Sequence, residues 1–412
     1  MSCQKCVQII SALDYWSMGE GKGGPVLYKT LTGYAERGWK VYFITGDRPQ
    51  GVSDNLHKNI HVIRFDAHLL KRLIQIKKIG FFARILWWIY FQIMSFVEAQ
   101  KLHSKEKINV VYGYESYGVP VAKLFSKLWN VPVVARFRGS IVRLVWMKRP
   151  LWKLRAWEYV LAYKMSSGSD LVIMTNDGSQ GDRLLAQMGV PNEKVRFWIN
   201  GLDIQRFKRL PTVSQARELL GISHQYVLLS VSRLMRLKRV DRSIYVLPQV
   251  VKEYPSTILV VIGDGPERKR LERLAKDLGV LDHVRFEGAV LRKEIPKYLA
   301  AANIFLSFYD WSNVVHPLLA AMTAGKCIVT LNNGDTGRFI KNGENGVLLE
   351  YEDLPKLPEV IKELLANEDL RNRLGANARK FAEENFWSWQ ERMEAEIAEV
   401  SRLIEQRKRE QW

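Results

Sequence analysis

The sequence predicts an α/β protein built from two doubly wound parallel sheets. Strand-like apolar runs alternate with helical periodicities in both halves of the chain, which implies parallel sheets with helical crossovers. The 412 residues suffice for two or three domains, and a hydrophobic content of 47% is ample for two cores. In the second half the unusual residues fall just after the carboxyl ends of strands, where open α/β sheets bind ligands.

In the first half, Cys6 to Leu13 reads as a strand, followed by a Gly-rich loop from Gly19 to Gly24 and a helix from Pro25 to Arg37. Val41 to Thr45, Ile60 to Phe65, Val110 to Tyr112, Val131 to Ala135 and Leu171 to Met174 continue as strands with helices between. Residues 1–207 form the expected first domain and residues 208–386 the second, with 208–224 as linker. Residues 387–412 form a charged, amphipathic helical tail expected to pack back on the first domain.

The second domain carries the most informative stretch, SNVVHPLLAAMTAGKC at 312–327. Pro317 suits the first turn of a helix, Leu318, Leu319 and Met322 follow at helical spacing, and Gly325 stops it. The apolar run Cys327-Ile328-Val329 then begins a buried strand. A helix start preceded by small polar residues favours an anion, so Ser312, Asn313, His316, Pro317, Leu319 and Ala320 are candidate ligand contacts. Four strand-like runs precede this segment: Val227 to Val231, Ile258 to Ile262, Val284 to Gly288 and Ile304 to Phe308. After the first come Arg233 and Lys238, two cations suited to a diphosphate. After the second come Gly263 and Gly265.

These pieces together resemble the donor-binding half of the retaining, GT-B-fold nucleotide-sugar glycosyltransferases of group 1 (family 4). The resemblance rests on Ser232-Arg233-Leu234 with Lys238, Gly263-Asp264-Gly265-Pro266, Val284 to Gly288, Pro317-Leu318-Leu319 with Ala321-Met322 and Gly325, and Gly343-Glu344-Asn345-Gly346. Asn200-Gly201-Leu202-Asp203 with Phe207 looks like the family's interdomain crossing. Gly23 and Gly24 resemble its glycine pair near the donor phosphates. The resemblance covers most of residues 194–390 and only the outline of the first half. It implies two Rossmann-like domains facing a cleft, a nucleotide-sugar co-substrate (a UDP-sugar favoured over a GDP-sugar), retention of configuration, and no cofactor or essential metal.

The chain departs from that pattern at three places. The family's two glutamates, eight positions apart, fall on Ser312 and Ala320 here. Losing a charged partner for a bound polar group costs about 1.5–3 kcal/mol. Natural variation, decay to a non-enzyme, and a Glu→Ala change at position 320 that inactivates the enzyme all fit. Where many relatives place a histidine near the reacting centre, this chain has Arg138, which cannot act as a base. Arg136 and Arg138 are expected on the acceptor side, and no catalytic residue is assigned.

The charge is uneven. Residues 1–208 hold 31 Lys+Arg against 15 Asp+Glu, most of the whole chain's net +19. Something acidic is expected to meet that half. No recognised nucleic-acid motif is present, which disfavours that class of partner. Two basic, aromatic stretches point instead to an anionic membrane surface. One contains Arg84, Trp87 and Trp88. The other contains Trp146, Lys148, Arg149, Trp152, Lys153 and Trp157. The alternatives are a buried core helix for the first and a solvated helix face for the second. The uncharged run after Arg84 is too short to span a bilayer. Three cysteines argue against a disulfide framework, Cys3 and Cys6 form a lone CxxC, and no signal peptide is visible. The expected protein is a cytoplasmic glycosyltransferase, peripheral on the inner face of the membrane, with a lipid-linked glycan or glycolipid as acceptor. The alternative is a non-catalytic nucleotide-sugar- or membrane-binding protein that kept the fold.

Overall fold

The computed structural model describes residues 4–12, 26–46, 56–66, 68–74, 76, 80–140 and 157–410. The chain divides into two compact units. The first comprises residues 1–176, 180–200 and 389–412, and the second residues 177–179 and 201–388.

The first unit holds a seven-stranded sheet: β1 (Cys6–Ile10), β2 (Lys40–Thr45), β3 (Ile60–Arg64), β4 (Val110–Tyr114), β5 (Val133–Phe137), β6 (Leu171–Thr175) and β7 (Val195–Trp198). Their spatial order is β3-β2-β1-β4-β5-β6-β7, and every pair is parallel. Five of these strands are buried along their whole length or all but one residue, as expected where helices cover both faces. Alternate strand residues supply two cores. Val7, Ile9, Tyr112 and Val134 meet the first helix, α1 (Val26–Glu36). Cys6, Ile10, Val111 and Val133 meet the opposite layer, which contains α2 (His68–Ile74), α3 (Gly80–His103) and α4 (Glu115–Trp129). The helix α5 (Trp157–Ser166) packs on α4.

The second unit holds a six-stranded parallel sheet: β8 (Tyr226–Val231), β9 (Thr257–Ile262), β10 (Val284–Gly288), β11 (Ile304–Ser307), β12 (Cys327–Leu331) and β13 (Val347–Leu349). Its order is β10-β9-β8-β11-β12-β13, so the winding reverses between β8 and β11. The expected Pro317 helix is α6 (His316–Thr323), followed by Gly325 at φ +68°, a left-handed turn that releases the chain into β12. The helix α7 (Glu368–Asn385) covers α6 and β12.

The tail forms α8 (Trp389–Arg409), part of the first unit. It lies over α1, with Trp389, Met393, Val400 and Ile404 in the same core. A buried polar cluster accompanies them. Tyr34 and Tyr112 share a 2.5 Å hydrogen bond, Tyr112 donates to Glu396 at 3.2 Å, and Arg392 pairs with Glu396 at 2.9 Å. Strands β7 and β13 have no counterpart in the sequence reading. They are four and three residues long at sheet edges, too short to show a period.

Candidate functional site

The reversal between β8 and β11 leaves a crevice at the carboxyl ends of those two strands, the ligand position of open α/β sheets. Beyond β8 the chain passes through exposed Arg233 to a short turn, Arg236–Lys238. Beyond β11 it runs through Tyr309 and Asn313 into α6. Tyr309 joins the two sides: its hydroxyl donates to the Val231 carbonyl at 2.9 Å, and Lys238 Nζ lies 3.9 Å from its ring centre. Burial pulls the Lys238 pKa down to about 8, against the opposing pull of the Asp177 carboxylate. Burial also raises the Tyr309 phenol to about 12, so it stays a neutral donor.

Gly263 and Gly265 are drawn to the same place for a steric reason. Gly263 sits at φ +128°, and a Cβ there would stand 1.8 Å from the Ser232 carbonyl oxygen. A Cβ at Gly265 would stand 2.4 Å from the Leu234 carbonyl oxygen. Glycine therefore lets the loop after β9 lie against the loop that carries Arg233. Leu234 N–H donates to the Asp264 carbonyl at 3.0 Å and closes that contact.

The loop before α6 is fixed by Asn313, which is fully buried. Its Oδ1 accepts from Ser307 Oγ at 2.8 Å and Tyr309 N–H at 3.0 Å, while Nδ2 donates to the Leu331 carbonyl and to Asn333 Oδ1. Arg242, on the helix following β8, donates to the Phe308 carbonyl at 2.6 Å and to Asp310 at 2.8 Å. His316 opens α6. Loss of water around its ring and the Arg292 guanidinium lower its pKa to about 4, against Asp203, so it is neutral at physiological pH. Pro317 lies in the first turn, and Leu319 is buried.

The two positions where the family has glutamates have different surroundings. The Ser312 hydroxyl already has two partners within the unit. It donates to the Asp177 carbonyl at 2.7 Å and accepts from Val314 N–H at 3.1 Å. Gly178 crowds it so closely that an added Cβ there would stand 1.9 Å from Ser312 Oγ. Ala320 is nearly buried within α6.

The expected acceptor-side pair divides. Arg136 is 1% exposed, inside the first unit's core among Tyr112, Tyr114 and Glu396, so it cannot reach an acceptor in solvent. Residue 136 belongs to β5 and shares its face with Val134, and that face is covered by α8. Arg138, just past β5, is partly exposed, held by Glu115 through its own N–H at 2.8 Å and through Nε at 3.0 Å.

Of the expected membrane contacts, Trp87 is corrected. Trp87 is 4% exposed, packed on Phe65, Phe91 and Tyr117, because it lies on the core side of α3. Trp88 is half-buried edge-on against Trp157, and Arg84 faces Glu158 at 3.7 Å. Gly23, Gly24, Trp146, Lys148, Arg149, Trp152, Lys153 and Cys3 lie outside the described residues; Cys6 is buried in β1.

The sequence reading missed Tyr309, Arg242 and Glu115 as organising residues. Tyr309 and Asp310 follow directly after a strand end, a signal that could have found the first. Glu115 sits at φ +60° as the first residue of α4, directly after β4, and nothing in sequence marks that conformation.

The chain is 25% identical over 247 residues to a GDP-mannose-dependent alpha-(1-6)-phosphatidylinositol monomannoside mannosyltransferase of Mycobacterium tuberculosis, covering 58% of this chain and 63% of that protein. It is 30% identical over 232 residues to spore coat protein SA of Bacillus subtilis, covering 53% and 61%. The match thus spans less than two thirds of the length of these relatives. Among solved structures, sucrose-phosphate synthase from Thermosynechococcus elongatus superposes with a TM-score of 0.74 at 19% identity, covering 97% of this chain and 98% of that one. WaaG, a glycosyltransferase involved in lipopolysaccharide biosynthesis, superposes with 0.67 at 21% identity, covering 94% and 98%. The two parallel sheets with their helices are the GT-B fold of these structures. Residues 214–381, most of the second unit, match the family Glycosyl transferases group 1.

Proposed function

We propose that this protein moves a sugar from a nucleotide-sugar to a lipid-linked glycan or glycolipid at a membrane, with retention of configuration and without an essential metal or cofactor. The carrying observation is the pair Arg233 and Lys238 at the reversal point of a unit that matches the group 1 glycosyl transferases. As the bond between the anomeric carbon and the diphosphate oxygen breaks, negative charge grows on the leaving diphosphate. Two cations and the N–H groups at the start of α6 stabilise that charge in place. A hydroxyl of the acceptor forms the new bond to the anomeric carbon, and its proton passes to the departing diphosphate oxygen. No side chain is assigned as a base.

The acceptor class is supported by relatives whose names specify phosphatidylinositol mannoside and lipopolysaccharide core. The charge excess of residues 1–208 suits an anionic membrane surface, with the protein peripheral on its cytoplasmic side. Ala320 lowers donor affinity in this form, since it lacks the carboxylate that the family resemblance puts at the ribose.

The test is calorimetry with UDP-, GDP- and ADP-sugars, followed by transfer to a membrane extract. One nucleotide-sugar should bind, with affinity falling in Arg233→Ala and Lys238→Ala. Binding without hydrolysis or transfer, in this form and in Ala320→Glu, would identify a non-catalytic binding protein. Binding unchanged in both cation variants would overturn the donor site.

A further inference from the structure

The first unit encloses more positive charge than negative. Arg136 on β5 and Arg392 on α8 are fully buried, and so is Glu396, one turn further along α8. Arg392 pairs with Glu396 at 2.9 Å and lies 4.4 Å over the Trp198 ring. That pair uses the one carboxylate of the cluster. The other polar groups are Tyr34 on α1 and Tyr112 and Tyr114 on β4. Burial raises all three phenols above their ordinary range, so none supplies a second negative charge. Glu115, the other carboxylate that acts on Tyr114, is held by Arg138, while Glu394 and Glu399 on α8 pair with Arg37 and Arg196. Among the described residues one buried positive charge is therefore uncompensated. Hydrogen bonding leaves the same deficit. Nε and Nη1 of Arg136 and Nε and Nη2 of Arg392 have no partner among the described residues, although buried N–H groups almost always have one. Burial lowers the Arg392 pKa to about 10, and the Arg136 charge pushes the same way against Glu396.

We propose that a small monovalent anion, chloride or a similar ion, binds between Arg136 and Arg392 and fastens α8 to the sheet. Charge chooses the ligand. Water satisfies N–H groups but leaves the buried charge in place, and a divalent anion replaces one excess with the opposite one. A monovalent anion closes the balance and accepts charge-assisted hydrogen bonds from both guanidinium groups. Full burial of the donors favours an ion of atomic size over an acid with a carbon skeleton. One guanidinium belongs to a strand and the other to the tail helix, so the ion links the two elements. The inference does not rest on the donor site, whose residues belong to the second unit.

The experiment is thermal melting of the full chain, freed of halide, in sodium chloride and in sodium gluconate at one ionic strength of about 150 mM. Wild type should melt about 5 °C higher in chloride, with a saturable dependence on its concentration. Arg136→Met removes the excess charge and should melt at the same temperature in both salts. Glu396→Gln doubles the excess and should widen the difference. Lys238→Met, in the second unit, should keep the wild-type difference. Crystals soaked in bromide should show an anomalous peak between the two guanidinium groups, and amide exchange in residues 389–409 should be slower in chloride than in gluconate. Equal melting of the wild type in both salts, or no bromide peak between Arg136 and Arg392, would overturn the proposal. Loss of the difference in Lys238→Met would also overturn it, by moving the ion to the donor site. Should Arg136→Met fail to fold, the bromide peak and the Glu396→Gln comparison decide the question.

Discussion

The Lys238 ammonium lies 3.9 Å from the centre of the Tyr309 ring, and that ring's hydroxyl is tied to the first strand of the sheet through the Val231 carbonyl. The cation is thus held over an aromatic face, short of water, with a pKa of about 8. A desolvated lysine is poised to gain from an anionic ligand, because the ligand's charge restores what burial removed.

This gives a pH dependence of donor binding. Below pH 8 Lys238 is charged in the free protein; above it, the proton must be taken up on binding. Donor affinity should therefore fall about tenfold between pH 7 and pH 9, since each pH unit above the free-state value costs about one decade. Calorimetry across that range measures it. Lys238→Met should bind one to two decades more weakly at pH 7 and show no such decline. An equal decline in both proteins would locate the titration elsewhere.

Position 320 gives the second. Ala320→Glu should raise donor affinity by about 1.5–3 kcal/mol if a carboxylate there meets the ribose hydroxyls. Turnover should rise further where that contact tightens as the leaving group departs. Side-by-side assays of donor hydrolysis decide it: higher activity with Ala320 than with Glu marks a natural variant whose ribose is held by other groups.

Asn313 gives a stability prediction. Asn313→Ala strands the Tyr309 N–H and Leu331 carbonyl partners inside the unit, and each unsatisfied group costs about 1–3 kcal/mol. Urea denaturation of the second unit should show a loss of at least about 2 kcal/mol, with weaker donor binding because the β11–α6 loop is no longer fixed.

Glu396 gives the last. Arg392 and Glu396 are 1% and 0% exposed, so Glu396→Leu leaves a buried guanidinium without its counter-ion. The expected cost is about 3–5 kcal/mol, and Arg392→Leu in addition should recover part of it. Equal stability of the single and double variants by denaturant unfolding would show that the pair is not coupled.

Local sequence is enough for the fold class, eleven of the thirteen strands among the described residues, the α6 helix with its Pro317 start and Gly325 stop, and the cations beside the reversal point. These are legible because apolar runs, proline, glycine and strand-end charges report local backbone preference. Tertiary structure decided which way the side chains face. Trp87 and Phe82 are both apolar residues of α3, yet one is in the core and the other in solvent, because the sheet covers only one side of the helix. Arg136 and Arg138 look alike in sequence, but strand alternation buries the first, while the second clears the strand end and pairs with Glu115. Ser312 reads in sequence only as a small polar residue before a helix; Asp177, 135 positions away in the chain, is its hydrogen-bond partner, and Gly178 packs against it. Contacts between distant segments have no local signature, and they decide which polar groups are already engaged inside the unit.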